Sequence, residues 1–166
     1  MSEAYSRFAT VTGFDTLPLA RIRDMDGLSV LQAMIAGDLP APPIARTLGF
    51  ILDEVGEGRA VFKGMPAADY LNPLGTIHGG WAGTLLDSAL GCAVHSSIRA
   101  GEAYTTVEYK VNLVRPIMPD TGEVTCEGVL IHRGSRIATS EATLKTADGK
   151  LLAHGSETCI IFPMKA

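Results

Sequence analysis

Apolar positions recur along this chain in two periods, and the change from one to the other divides it. In "DGLSVLQAMIAGDLP", Leu28, Leu31 and Ile35 fall at helical spacing, with Val30 and Met34 beside them. Asp26 is placed to cap that helix, and Gly37 followed by Pro40 to stop it. "LPAPPIA" then reads as a stiff, extended connector, because proline fixes its own φ and restricts its predecessor. Residues 1–45 are expected to be an N-terminal extension with a short helix and this connector, and residues 46–166 the main domain.

Beyond Arg46 a period of two dominates. "TLGFILDEV" and "RAVFKGMP" flank "GEG" as a hairpin. "AYTTVEYKVNLVRP", "GEVTCEGVLIHRG", "RIATSEATLKTADG" and "LLAHGSETCIIF" are rich in β-branched residues and bounded by turn residues. "ADGK", around Asp148–Gly149, is a strong hairpin turn. Between the second and third strands lies "NPLGTIHGGWAGTLLDSALG", residues 72–91, whose helix should start near Gly79 and run to about Ser97. Trp81, Leu85, Ala89 and Ala93 share one side of it, with Leu86, Leu90 and Val94 close by, so it is apolar almost all round and fit for burial. The expected order is β-β-α-β-β-β-β, an α+β fold in which an antiparallel sheet wraps around one long central helix.

One stripe breaks the apolar surface of that helix: Gly80, Gly83, Asp87 and Gly91. Each glycine inside a helix costs about 1 kcal/mol against alanine. Close approach of another backbone is the simplest reason to keep them. A buried carboxylate among them is costly and its pKa should rise. Gly79 and Gly80 open the helix, where free N–H groups and the positive end of the dipole point outward, a suitable place for an oxyanion or a polarised carbonyl. Asn72 and His78 flank that place with side-chain donors. Gly79 and Asp87 lie about 12 Å apart along the axis, too far to meet at one reacting atom. Two antiparallel copies packed through the glycine stripe can bring one chain's Asp87 to the other's Gly79, which implies a twofold dimer with shared sites.

Composition narrows the partners. The chain has 166 residues, 46% hydrophobic and 19% charged, with a formal net charge of −4. No block of lysine or arginine stands out, which argues against nucleic-acid binding through a broad basic face. A small anionic ligand remains open, since a local arginine cluster suffices. Cys92, Cys126 and Cys159 are widely spaced without metal-ligand spacing, so they are not expected to form a metal site. Buried thiols in a reducing cytoplasm are the expected reading. "MSEAYSRFAT" has no apolar signal core, and no run of eighteen apolar residues could span a membrane. No Gly-x-Ser-x-Gly elbow marks a serine hydrolase.

The stretch at 72–91, with its Asn-x(5)-His-Gly-Gly-x(6)-Asp pattern, resembles the signature of hotdog-fold acyl-CoA thioesterases of the PaaI-like (phenylacetate-pathway) group. The likeness covers about residues 46–166, and "HRGSRIATSEATL" and "LLAHGSETCIIF" are similar to the later strands of that group. The resemblance implies hydrolysis of an acyl-CoA thioester. The Gly79 amide would polarise the thioester carbonyl, Asn72 and His78 would orient it, and Asp87 of the partner chain would act as general base or nucleophile. A Ser or Thr on the strand after the helix would hold the water. Thr106 matches that position best and Thr105 competes with it. If Val107, Tyr109, Val111 and Leu113 form the helix-facing side, a bulge or frayed strand start is needed to bring Thr106 there. Arg115, Arg133 and Arg136 are the candidates to hold the coenzyme A nucleotide. Gly80 would let the ligand approach, and Trp81, Phe50, Met65, Tyr70 and Leu71 either line the acyl pocket or pack purely in the core. No cofactor beyond the substrate's own coenzyme A is implied. The assembly would be a dimer or a tetramer of paired dimers. The alternatives are an acyl-CoA sensor without turnover and a hotdog dehydratase acting on a hydroxyacyl thioester.

Overall fold

The computed structural model of the chain describes Val11 and residues 13–164, and it places the longest helix where the apolar run begins. Helix α4 (Gly79–His95) starts at the expected glycine and ends two residues before Ser97. Before it come α1 (Leu19–Ile22), α2 (Gly27–Ala36) and α3 (Pro43–Leu48). The strands are β1 (Phe50–Gly56), β2 (Arg59–Gly64), β3 (Glu102–Leu113), β4 (Val124–Arg133), β5 (Ile137–Thr146) and β6 (Leu151–Pro163). The chain order is thus the expected β-β-α-β-β-β-β. The segment 1–10, read as lacking a signal core, lies outside the described residues. Among the described residues, no helix is long and apolar enough to cross a membrane.

All six strands form one antiparallel sheet in the order β1-β2-β4-β5-β6-β3. Strands β4 to β6 are a meander, whereas β3 crosses to the far edge and pairs only with β6. The sheet wraps on α4, and Leu85, Leu86, Ala89, Leu90 and Val94 are fully buried against it. Phe50, Phe62, Val124, Cys126 and Leu144 close the same core. Burial of each large apolar side chain contributes roughly 1.5–3 kcal/mol. The approach is tight: a Cβ at Gly128 of β4 would lie 2.2 Å from the Ala89 carbonyl oxygen.

The extension is part of this body. Asp26 caps α2, its carboxylate accepting from the Ser29 N–H at 2.9 Å, and Gly37 ends the helix at φ 84°. The start of α2 rests on the end of α4, where the Gly27 N–H donates to the Ile98 carbonyl at 3.0 Å. Phe14, Ala45 and Leu48 join the core around α4. The connector departs from expectation, since residues from Pro43 onward form α3. Proline at the first helical position costs nothing there, because its missing N–H would have been unpaired. Thr47 and Leu48 are consequently helical, and the first strand begins only at Phe50.

In β3 the pairing register shifts between Thr106 and Glu108, a bulge at Val107. An extra residue reverses which side chains face inward. Before the bulge Tyr104 packs with Val94, and Thr106 reaches Glu157. After it Val111 joins the core, and the Leu113 side chain lies at Gly79. The bulge thereby turns Thr106 inward, as the sequence required of it, and leaves Thr105 exposed.

Candidate active site

The lead-in to α4 is braced by Asn72. Its Oδ1 accepts from the Leu74 and Thr76 amides at 2.8 and 3.3 Å, and its Nδ2 donates to Thr76 Oγ1 at 2.7 Å. Both ends of that amide are therefore engaged inside the loop. His78 is the N-cap, and its Nδ1 accepts the Gly80 N–H at 2.9 Å. The Gly80 amide is thus occupied, whereas the Gly79 amide meets no acceptor among the described residues. Gly79, Asn72, Leu113 and Arg115 line a cavity of about 280 Å³ at this helix end. The Arg115 guanidinium is held at its mouth by a bond to the Leu151 carbonyl at 2.6 Å.

Two turns along α4, Asp87 opens into a different cavity of about 380 Å³. One wall is polar, with Asp87, Ser88, Tyr104 and Thr106. The other is apolar and comes from α2, the segment after it and the first hairpin, including Met34, Leu39, Pro42, Phe50 and Phe62. Asp87 is half-buried, and no residue described ion-pairs with its carboxylate. Burial raises its pKa above the usual carboxylate range. Cys92, in the same wall, is pushed up by burial to about 12 and stays a thiol at neutral pH. One chain therefore holds Gly79 and Asp87 in separate cavities, as their spacing along the helix demands.

Behind the polar wall lies a residue that the sequence reading passed over. Glu157 of β6 is 2% exposed. Its Oε1 accepts from Thr106 Oγ1 at 2.7 Å and from Cys159 Sγ at 2.9 Å, while its Oε2 is buried and meets no partner among the described residues. Burial and the charge of Asp87 push its pKa up. The signal was present in the alternation of β6, where Gly155, Glu157, Cys159 and Ile161 share the buried face. An acid at such a position is conspicuous.

Other expected positions fall elsewhere. Trp81 is packed in the core: it is 3% exposed, stacks on Tyr70 at 5.9 Å and donates from Nε1 to the Leu48 carbonyl at 2.8 Å. Of the other proposed lining residues, Phe50 reaches the Asp87 cavity. Arg133 is ion-paired with Glu102 and lines a third cavity with Ser97 and Arg99, beyond the C-terminal end of α4. Arg136 is exposed in the turn between β4 and β5. Within the glycine stripe, a Cβ at Gly91 would lie 3.1 Å from the Tyr104 hydroxyl and 3.6 Å from Glu157 Oε1, both side chains of the same chain. Gly83 likewise faces the Tyr109 hydroxyl. Among the described residues, no group of His, Cys, Asp and Glu could hold a metal ion.

Comparison with known proteins adds a lineage. The family model described as thioesterase superfamily matches residues 74–153, from the loop before α4 into β6. A protein of Saccharolobus solfataricus, provisionally named an esterase, is 30% identical over 95 residues, 57% of this chain. The match spans 66% of that relative's own length, just under two thirds. The structure of a conserved Pseudomonas aeruginosa protein superposes with a TM-score of 0.67 at 32% identity, covering 72% of this chain and 94% of that one. A mutant of the phenylacetic acid degradation protein PaaI from Thermus thermophilus superposes with a TM-score of 0.64 at 28% identity, covering 71% and 97%.

Proposed function

We propose that the chain is a hotdog-fold thioesterase of the PaaI-like group and that it hydrolyses acyl-CoA thioesters to a free acid and coenzyme A. The observation that carries the reading is Asp87: an unpaired, half-buried carboxylate in the wall of an apolar cavity, on the helix whose first amide is free. A thioester carbonyl is already activated, so water needs only a base and a place for the oxyanion. Asp87, acting as general base, takes a proton from water as its oxygen attacks the carbonyl carbon. The tetrahedral oxyanion forms at the Gly79 amide, and its collapse breaks the C–S bond and releases the coenzyme A thiolate. A donor of this kind is worth about 3–4 kcal/mol in the transition state. Asp87 as nucleophile uses the same placement.

Because one chain keeps Gly79 and Asp87 in separate cavities, the working site combines Gly79 of one protomer with Asp87 of its partner. The edge strand β3 supports such a pairing, since Val107 and Leu113 are each 58% exposed on it. Arg115, beside Gly79, is the best-placed cation for a coenzyme A phosphate. The apolar wall of the Asp87 cavity suits an apolar acyl group. We place the protein in the cytoplasm, in keeping with its free thiols. The test is release of free thiol from short-, medium- and long-chain and aryl acyl-CoAs by wild type and Asp87→Asn. Turnover that falls at least about 10²-fold in the variant, with the fold intact, supports the reading. Binding of acyl-CoA without turnover of any of them would sink it.

A further inference from the structure

Glu157 has no place in the reaction just described, yet the fold makes room for it at some cost. A carboxyl group in a protein interior is stabilised only by its partners, and a half-satisfied one is worse than an apolar side chain of the same size. Glu157 has two donors on one oxygen and none on the other. No cation ion-pairs with it among the described residues. The titratable and polar groups around it include Asp87 and Cys92 from α4, Tyr104, Thr106 and, opposite it in register, Tyr109 from β3, and Cys159 on its own strand. Ser140 of β5 lies opposite it in register but spends its hydroxyl on the Leu90 carbonyl. Gly91 leaves the gap in α4 that the carboxyl and the Tyr104 hydroxyl fill. The two partners of Glu157 are also unequal. Cys159 is buried, but Thr106 lines the cavity that holds Asp87.

We propose that Glu157 is a positioning residue for thioester hydrolysis: it fixes the Thr106 hydroxyl in the cavity wall so that the lone pairs of Thr106 Oγ1 are left for the attacking water. The inference rests on the function proposed above. A threonine hydroxyl rotates freely and has one proton to give. Donation to Glu157 directs that proton away from the cavity and makes Thr106 an acceptor on the Asp87 side. A water held there donates one proton to Thr106 and the other to Asp87, the arrangement in which its oxygen is ready to attack. Glu157 itself touches neither water nor substrate. Its burial and the nearby Asp87 favour the neutral acid, whose carbonyl oxygen still accepts from Thr106.

The test is a double-mutant cycle on thiol release, with Thr106→Val, Glu157→Met and the two combined. Each single change should lower kcat about tenfold with KM unchanged, the loss expected of one misdirected hydrogen bond, and the double variant should be no slower than either. Glu157→Gln keeps an oxygen toward Thr106 and should hold kcat close to wild type. Glu157→Met should unfold at a temperature no lower than wild type at neutral pH, because it removes a poorly paired buried carboxyl. Glu157→Asp withdraws the carboxyl by one methylene and should also lower kcat, which keeps the test open if the methionine variant does not fold. Wild-type kcat in Glu157→Met or Glu157→Asp, losses that multiply in the double variant, or a loss of kcat that tracks a lowered unfolding temperature would each overturn the proposal. A wild type without turnover on any thioester overturns the function and this role together. An active wild type with indifferent Glu157 variants overturns this role alone.

Discussion

Asp87 and Glu157 are carboxyl groups that the fold holds in surroundings unfavourable to charge, and that has consequences for pH. A general base must be ionised to work. Burial raises the pKa of Asp87, so the acid limb of kcat/KM should lie above the ordinary aspartate range and activity should rise with pH through it. A pH–rate profile from about pH 4 to pH 9 tests this, and a limb at or below the value of a free aspartate would contradict it. Stability should run the other way. A carboxyl whose pKa is raised in the folded state stabilises fully below the unfolded pKa, and that contribution is lost as pH rises through the folded pKa. Asp87→Asn never ionises and should escape that loss. It should melt above the wild type at pH 7, and the two melting temperatures should converge as pH falls toward about pH 4.

Elements were legible in proportion to how local their causes are. The start of α4 at Gly79, the Asp26 and Gly37 caps and the two hairpin turns depend on neighbours in sequence, and they stand where the pattern put them. The connector was misread because the same proline that breaks a helix from within is welcome as its first residue, at Pro43. Trp81 is open to two readings in the sequence, because an aromatic residue beside a site is equally suited to a core, and in this chain it packs on Tyr70 and bonds the Leu48 carbonyl. The alternation of β3 makes a bulge a condition for Thr106 to face inward, but its presence at Val107 is set by pairing with the distant strand β6. The Asp87 cavity could not be read at all, since its walls come from segments between Val11 and Thr106 that meet only in the fold. That cavity depends on how α2 sits on α4. A Cβ at Gly27 would lie 1.7 Å from the His95 carbonyl oxygen, a backbone atom that cannot rotate away. Gly27→Ala should therefore cost on the order of 1–3 kcal/mol in chemical denaturation, as overpacking does. Its KM should rise more for long acyl chains than for acetyl-CoA, because α2 supplies part of the apolar wall. Equal effects on both would detach α2 from the acyl group.

At the scale of the molecule, the separation of Gly79 from Asp87 makes a demand that a pair of defective chains can test. Gly79→Pro removes the free amide and little else. Proline suits the first helical position, and His78 before it already has the extended backbone that proline requires, at φ −61° and ψ 135°. A Cβ at this position meets the flexible end of the Leu113 side chain, which has to shift. Asp87→Asn removes the base. Each variant alone should be nearly inactive. If every site joins Gly79 of one chain to Asp87 of the other, a mixed dimer carries both defects in one site and neither in the second. Chains unfolded together and refolded at equal amounts should form mixed dimers as half of the population, and so recover about a quarter of wild-type activity. Activity that stays at the level of the separate variants, with mixed dimers shown to form, would place both groups in one chain's site, and a Gly79→Pro chain active on its own would give Gly79 no role. Recovery without exchange of subunits is excluded by the same geometry, because no bend of a buried seventeen-residue helix brings its first amide to its own Asp87.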